Sequence, residues 1–318
     1  MTTILLDCDT GIDDALAILT AALAPGVDLV GVGCTWGNID VDQAARNTHH
    51  LLQLIGRADV PVARGASGPL DGSTPTFSPH VHGDDGAGNV GDRDHEPTLA
   101  DETAVEQLLR LSRAHDDLHV VAVGPLTNLA LALQADPQVA QRVAQVTIMG
   151  GAALSPGNVT AAAEANIWHD PEAAAAVFEA AWPVTMVGLD VTMRSILTEE
   201  HRARLAAGGP VARHCAAMLD YYFDFYTAVT GRRCAGNHDA LAVAVALGLV
   251  DVTLSPVVEV EVDTTHGPSR GATLADLRGV WAGYPPVKGA RHRVVLEIAP
   301  GFEDRMIDLI LAGEPTSP

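Results

Sequence analysis

The stretch "LLDCDTGIDDALAIL", residues 5–19, joins an apolar run to an apolar, helix-forming segment through a turn rich in aspartate. Asp7 and Asp9 end the first run, and Asp13 and Asp14 open the second segment. A β-strand that leads through a polar turn into a helix is the repeating unit of parallel α/β sheets. This stretch therefore predicts the fold class and a polar site at the end of the first strand.

The same alternation of apolar β-branched runs and Ala/Leu-rich amphipathic segments continues along most of the chain. It predicts strands at residues 3–6, 27–34, 118–124, 143–150 and 182–189. It predicts helices at residues 13–24, 41–55, 101–114, 127–135, 171–180, 211–229 and 238–249. This pattern is typical of an α/β fold with an open, mostly parallel, Rossmann-like sheet and helices on both faces. We expect one domain over residues 1–318, with edge or hairpin strands at 257–262 and 292–298.

The composition excludes several classes of partner. The 318 residues include 19 Lys and Arg against 40 Asp and Glu, a formal net charge of −21 that repels nucleic acid and anionic lipid alike. The sequence has no apolar run of roughly 18 residues and no basic leader segment, so we expect a cytoplasmic protein without a membrane partner. Its four cysteines form no CxxC pair, and we expect them to be small buried hydrophobic residues.

One long segment does not fit the alternation. Residues 65–97 are dense in Gly, Pro, Asp and His and have no periodicity. A loop of this length inside a compact domain is typically a lid or a binding loop, or else a disordered excursion. Composition alone leaves both interpretations open.

The aspartates of the first turn are more numerous than helix capping requires. Capping accounts for one or two of them, but several carboxylates on one turn raise one another's pKa values unless a cation neutralises them. Hard ions such as Ca²⁺ and Mg²⁺ prefer carboxylate and carbonyl oxygens, and no Cys/His set for a softer metal accompanies these aspartates. A phosphatase of the haloacid-dehalogenase type is a weaker alternative, because "DCDT" is followed by Gly11 instead of Thr or Val and the Asp13/Asp14 pair is foreign to that signature.

Two further segments carry polar residues beside predicted helices. "GNHDALAVAVALGL", residues 236–249, places His238 and Asp239 at the start of an apolar helix. If Asp239 adds an oxygen to the metal site, His238 lies at the rim of the same pocket, where an imidazole can act as a general acid. In "GNVTAAAEANIWHDPEAAAAVF", residues 157–178, the polar residues could each be a helix cap or loop residue. They are Asn158, Glu164 and Asn166.

Seven motifs in order resemble those of the inosine-uridine-type nucleoside hydrolases. They are "LLDCDTGIDDALAIL", "GNIDVDQAARN", "VHGDDGAG", "VGPLTNLALAL", "IMGG", "GNVTAAAEANIWHDPEAA" and "NHDALAVA". The resemblance implies the nucleoside hydrolase fold and a ribonucleoside N-glycosidase that holds a Ca²⁺ ion. By position, the implied calcium ligands are Asp9, Asp14, Asp239 and the backbone carbonyl of Val123.

The same resemblance assigns the remaining polar residues to the sugar. Burying a ribose requires a fixed donor or acceptor for each hydroxyl. The positions that match the family's ribose contacts are Asp13, Asn38, Asn158, Glu164 and Asn166. Met149 matches a position that packs near the sugar.

Cleavage of a glycosidic bond passes through an oxocarbenium-like state. We expect Asp9 to be the general base that takes a proton from the attacking water, and His238 to be the acid toward the departing base. His82 in the long loop and Tyr226 are expected to contact the base when the loop closes. Purine-specific relatives are expected to carry a tryptophan where this chain has His238, which favours a pyrimidine-accepting or broad specificity.

Two further expectations concern an alternative function and the oligomeric state. A catalytically silent nucleoside-binding protein on the same scaffold is an alternative function, although every matched catalytic position is occupied. Relatives of this type are usually oligomeric, so we expect a homo-oligomer, either a dimer or a tetramer.

Overall fold

The computed structural model describes residues 1–280, 284–285 and 287–313. Its central feature is an eight-stranded sheet in the order β10-β13-β6-β5-β4-β1-β2-β3. Neighbouring strands run parallel, except that β10 is antiparallel to β13 at one edge. The strands of this sheet are β1 (Thr2–Cys8), β2 (Val27–Cys34), β3 (Val62–Arg64), β4 (His119–Ala122), β5 (Gln145–Met149), β6 (Val184–Val187), β10 (Val257–Val258) and β13 (His292–Val294).

Three small antiparallel pairs lie outside the central sheet. They are β7 (Ile196–Thr198) with β8 (Cys234–Gly236), β9 (Val252–Leu254) with β14 (Glu297–Ile298), and β11 (Val260–Val262) with β12 (Thr273–Ala275). The helices are α1 (Ile12–Leu23), α2 (Val41–Leu54), α3 (Pro79–His82), α4 (Ala104–Ala114), α5 (Thr127–Ala135), α6 (Val139–Arg142), α7 (Ala165–His169), α8 (Pro171–Glu179), α9 (Leu189–Thr192), α10 (Glu199–Ala206), α11 (Pro210–Thr230), α12 (Asp239–Ala246) and α13 (Phe302–Ala312), with one 3₁₀ turn at Leu277–Val280.

Helices cover both faces of the sheet because its strands are apolar on both sides. In β1, Ile4 and Leu6 belong to one hydrophobic cluster, which also contains the buried sides of α1, α2, α11 and α12. Leu5 points the other way, into a second cluster with α4, α5 and α8. Successive side chains of a strand point to opposite faces, so a strand buried on both sides reads as the unbroken apolar run seen in the sequence. The expected α/β fold is confirmed.

The C-terminal region contributes more to the sheet than the sequence indicated. Residues 257–262 divide between β10, at the sheet edge, and β11, in a separate antiparallel pair. Residues 292–294 form β13, which is paired on both sides, with β6 and with β10. The expectation of an edge or hairpin strand is therefore wrong for residues 292–294, whereas residues 297–298 form β14 in a two-stranded antiparallel pair with β9. A three-residue strand shows too little periodicity to be distinguished by pattern alone.

The long segment at 65–97 is folded against the domain. It contains the short helix α3, which ends at the buried residue His82. Further along, both carboxylate oxygens of Asp85 accept hydrogen bonds from backbone N–H groups at 87, 89 and 91, which fix a compact turn. Of the two interpretations left open, the structure has the ordered loop.

All four cysteines are buried, as expected. Among the described residues, no helix is long and apolar enough to cross a membrane.

Ligands of open parallel sheets bind beyond the carboxyl ends of the strands, near a change in strand order. Here β1 lies between β4 and β2, and the turn that follows it holds the aspartates.

Candidate active site

The turn after β1 is held by Asp14, which closes the N-terminus of α1. Asp14 accepts hydrogen bonds from the backbone N–H of Gly11 (2.8 Å), the backbone N–H of Asp9 (3.2 Å) and Nδ2 of Asn38 (3.0 Å). A carboxylate at this position satisfies free N–H groups and suits the helix dipole. Capping is thus part of the role of Asp14, as the sequence suggested for one or two of the aspartates.

Asp9 lies directly after β1 and is fully buried. Its Oδ2 accepts a 2.6 Å hydrogen bond from the backbone N–H of Asn38, whereas Oδ1 has no hydrogen-bond partner among the described residues. Glycines surround this carboxylate. A Cβ at Gly37, whose φ is +153°, would overlap Oδ2, and a Cβ at Gly124 would lie 2.8 Å from Oδ1. The backbone therefore approaches Asp9 as closely as only glycine allows.

Asp13, Asp14 and Asp239 form a cluster of buried carboxylates. Each offers one oxygen, and these oxygens all lie within 4.8 Å of one another. Asp239 comes from the first turn of α12, far along the chain, so the two aspartate motifs meet as predicted. Asp9 is outside this set of three, but its free Oδ1 faces Gly124, the residue after Val123.

Burial and mutual repulsion shift the pKa values of these carboxylates upward. Burial, followed by the charge of Asp13, raises the pKa of Asp14 to about 7. Burial and the neighbouring aspartates likewise raise the pKa of Asp239 and that of Asp9. Without a cation, the cluster does not hold all its charges at neutral pH.

Asn166 and Glu164 build the adjacent wall from the short helix α7. Glu164 caps this helix and accepts hydrogen bonds from the backbone N–H groups of Asn166 (3.0 Å), Gly151 (2.9 Å) and Ile167 (3.2 Å). Burial raises the pKa of Glu164 to about 7. The capping role considered from the sequence is therefore real, and it orients the carboxyl group at the cavity wall.

The amide of Asn166 connects two strand ends. Its Nδ2 donates to the carbonyl oxygens of Val123 (2.8 Å) and Met149 (3.1 Å), which leaves Oδ1 for a ligand. A carbonyl oxygen has two lone pairs, so Val123 keeps one after this bond. Met149 is buried, with Sδ 3.4 Å from Asn166 Nδ2. Asn158 is exposed at the rim, where its Oδ1 accepts from the backbone N–H of Ala165 (3.0 Å).

Aromatic residues and histidines form the opposite wall. The hydroxyl of Tyr226 lies 2.6 Å from Nε2 of His238, and Nδ1 of His238 lies 2.8 Å from Oγ1 of Thr192. Burial lowers the pKa of His238, so the ring is neutral at neutral pH. Thr192 was missed by the sequence reasoning, because a threonine in an apolar stretch has no distinguishing signal.

His82 and Tyr222 complete this wall beside Asp13. His82 Nδ1 accepts a 3.1 Å hydrogen bond from the backbone N–H of Ile12, and burial lowers the pKa of His82 to about 4. Tyr222 donates its hydroxyl to Oδ2 of Asp13 at 3.0 Å. Tyr222 was not predicted, although it lies one helical turn before Tyr226 on α11, a spacing that places both on one face.

These walls enclose a cavity of about 630 Å³, within the range of small-molecule sites. It is lined by all eight positions predicted to bind substrate, which are Asp13, Asn38, His82, Met149, Asn158, Glu164, Asn166 and Tyr226. His238, Val123 and Asp239 also line it. Asp9 and Asp14 do not, and both are fully buried.

The known proteins that are similar to this chain are named as nucleosidases or ribonucleoside hydrolases. A "Probable uridine nucleosidase 2" from Arabidopsis thaliana is 36% identical over 298 residues, 90% of this chain and 92% of that protein. A "Pyrimidine-specific ribonucleoside hydrolase RihA" from Enterobacter sp. (strain 638) is 38% identical over 280 residues, 86% of this chain and 87% of that protein. The solved structure of a "Purine-Preferring Ribonucleoside Hydrolase from Gardnerella vaginalis" superposes with a TM-score of 0.87 at 32% identity, covering 98% of both chains.

The family model described as "Inosine-uridine preferring nucleoside hydrolase" matches residues 4–298. This range contains every residue of the cavity and of the carboxylate cluster below it. The chain therefore belongs to the inosine-uridine preferring nucleoside hydrolase family of enzymes.

Proposed function

We propose that this nucleoside hydrolase cleaves the N-glycosidic bond of ribonucleosides, pyrimidine nucleosides among them, with a Ca²⁺ ion at the floor of its cavity. The observation that carries the proposal is a buried carboxylate cluster, two of whose members line a cavity of nucleoside size with polar walls. The residues proposed to hold the ion are Asp9, Asp14, Asp239 and the carbonyl of Val123.

The residues present fit a hard divalent cation. Buried carboxylate oxygens of Asp9 and Asp13 lack hydrogen-bond partners among the described residues. The atoms of this cluster that could bind a metal are all carboxylate oxygens. Ca²⁺ accepts several carboxylate and carbonyl oxygens in irregular arrangements, whereas Mg²⁺ demands near-octahedral geometry and keeps several waters. When bound, such an ion supplies the positive charge that keeps the carboxylates ionised and lowers the pKa of a water molecule in the site.

Asp9 is proposed as the general base. Asn38 holds Oδ2 through its backbone N–H, which leaves Oδ1 as the atom able to take a proton from the attacking water. A positioned general base contributes about 10²- to 10⁴-fold to the rate. The tight glycine contacts at Gly37 and Gly124 fix the carboxylate for this task.

The ribose is proposed to lie against the wall formed by α7 and the first turn. Asp13 and Glu164 are hydrogen-bond acceptors there, and Asn166 offers Oδ1. Asn38, Asn158 and Met149 are assigned to the same subsite. Acceptors that face sugar hydroxyls orient the ring and place negative charge near the developing oxocarbenium ion.

The departing base is proposed to lie between His82 and the Tyr226–His238 pair. Because His238 is neutral, it offers an N–H hydrogen bond to the departing base and is not an imidazolium acid. The 2.6 Å contact with the Tyr226 hydroxyl allows either group to donate a hydrogen bond to the leaving base. A hydrogen bond that strengthens as charge develops on the base lowers the barrier.

The pyrimidine preference is supported by His238 at a position where tryptophan is expected in purine-specific relatives, and by the names of the two sequence relatives. The Gardnerella structure is named for a purine preference, so the direct test is a substrate panel. Uridine, cytidine, inosine, adenosine and guanosine are compared for release of ribose. Uridine is expected to give a higher kcat/KM than guanosine, and the reverse order would contradict the preference.

The isosteric variant Asp9→Asn tests the mechanism in the same assay. We expect kcat to fall by about 10²-fold or more with the circular dichroism spectrum unchanged. Near-normal turnover would refute the base assignment, and release of phosphate from a phosphomonoester would favour a different chemistry.

We further propose a cytoplasmic homo-oligomer, a dimer or tetramer, in which residues 1–318 form a single domain. Sedimentation velocity measures the oligomeric state.

A further inference from the structure

Four histidines from three separate segments meet outside the active-site cavity. His49 and His50 belong to α2, His95 to the loop after α3, and His214 to α11. The His95 ring lies 5.0 Å from that of His49 and 4.9 Å from that of His50, and the His50 ring lies 5.9 Å from that of His214. None of these residues lines the cavity of about 630 Å³.

Three side chains of this group have the geometry of metal ligands. His50, Asp92 and His95 each offer one ligand atom, and these atoms lie within 4.8 Å of one another. Two imidazole nitrogens and one carboxylate oxygen suit a borderline transition metal and not Ca²⁺. Three protein ligands leave a fourth position for water, as in open zinc sites.

His49 supports this set from behind. Its Nδ1 lies 2.8 Å from Nε2 of His95, and His49 is 7% exposed. If His95 binds a metal through Nδ1, its Nε2–H is donated to His49 Nδ1. Metal-binding histidines nearly always donate their second ring N–H in this way, which fixes the tautomer and the ring orientation.

The charge state of the histidine rings is compatible with metal binding. Burial, together with repulsion between neighbouring imidazoles, lowers the pKa values of His49, His50 and His95, so the rings are neutral at neutral pH. Arg46 places a positive charge near His95, which Asp92 and Glu96 oppose. The large negative charge of the chain also attracts cations over distance.

We propose that His50, Asp92 and His95 bind a transition-metal ion of the Zn²⁺ class, with His49 as the positioning residue for His95. The ion joins α2 to the loop that contains Asp92 and His95. This loop follows α3, whose last residue, His82, lines the active-site cavity. Metal binding would therefore stiffen the segment that holds one wall of the active site, without contacting substrate.

The test uses tag-free, calcium-loaded protein titrated with Co²⁺ as a visible probe and with Zn²⁺ by calorimetry. We expect one Co²⁺ ion to bind with ligand-field bands typical of nitrogen and oxygen ligands. Zn²⁺ should displace it and raise the Tm. His49→Phe should weaken Co²⁺ binding by about 10- to 100-fold, and His95→Ala should abolish the bands. His266→Ala, a change at an exposed histidine elsewhere, should leave them unchanged.

Asp92→Asn controls for misfolding of the histidine variants, because Asp92 is exposed and its replacement leaves the histidine packing intact. This variant should lose Co²⁺ affinity while its Tm without metal equals that of the wild type. Equal Co²⁺ affinity in wild type, His95→Ala and Asp92→Asn would overturn the proposal, as would a calcium-loaded wild type that binds no Co²⁺. This test is independent of nucleosidase activity, so its failure would leave the proposed function untouched.

Discussion

Removal of divalent metal should destabilise this enzyme more at pH 8 than at pH 5. The folded state raises the pKa of Asp14 from 3.8 to about 7, mainly through burial. The folded protein therefore binds the Asp14 proton more tightly than the unfolded chain does. The resulting stability is present below pH 3.8 and is lost as the pH rises through about 7. Three pKa units correspond to about 4 kcal/mol of unfolding free energy lost in metal-free protein.

A bound cation offsets this loss. A ligand at 100 times its Kd stabilises the folded state by about 2.7 kcal/mol. At about 2 °C per kcal/mol for a chain of this size, saturating Ca²⁺ should raise the Tm by about 5 °C at pH 8. At pH 5 the ion must displace the Asp14 proton, so we expect less than half of that shift.

Differential scanning calorimetry in EGTA and in excess Ca²⁺, at both pH values, measures the difference. In Asp239→Asn the calcium shift should shrink, while the Tm in EGTA should equal or exceed that of the wild type, because a buried charge has been removed. Asp59→Asn, at a side chain 67% exposed, is the matched control and should keep the full shift. A calcium shift that is equal at both pH values, or unchanged in Asp239→Asn, would refute the reasoning.

Three further predictions concern single residues. His238→Ala should lower kcat on uridine more than on p-nitrophenyl riboside, whose leaving group needs no proton, and Tyr226→Phe should act in the same direction; equal losses on both substrates would argue against an acid role. Gly37→Ala should lower kcat by about 100-fold by displacing Asp9, with a far-UV spectrum like that of the wild type. Burial lowers the pKa of His119 from 6.5 to about 4, so about 3 kcal/mol of stability present above pH 6.5 is lost toward pH 4. Urea unfolding of His119→Gln should show a shallower decline across that range, and an identical decline would contradict the assignment.

The sequence predicted best those elements whose pattern is long and regular. The helix at 127–135 has the predicted bounds, and β1 and β2 were found because their apolar runs are continuous. Strand β3 and helices α10 and α13 were missed. β3 has only three residues, and α10 has a mostly charged surface with a single buried residue, Leu205. Long-range pairing determines such elements, and a local pattern does not contain it.

The candidate site was predictable for a different reason. Asp9, Asp13 and Asp14 lie close together in sequence, and their charge density at a strand end is itself a signal. Their meeting with Asp239 could be inferred only from motif order, since no local pattern brings α12 to α1. The hydroxyl network around His238 depends on packing between distant segments, whereas the capping of α7 by Glu164 is local and was considered from the sequence.

The position of β13 has a consequence for biosynthesis. This strand pairs with β6, joining His292 to Val184, and β10 in turn has only β13 beside it in the central sheet. While the ribosome is still adding residues before 292, the side of β6 that faces β13 is an open edge with free N–H and C=O groups, which invites association with other chains. Productive folding of the nascent protein therefore waits until residues 292–294 have been made, and chaperone dependence should be greatest just before that strand emerges.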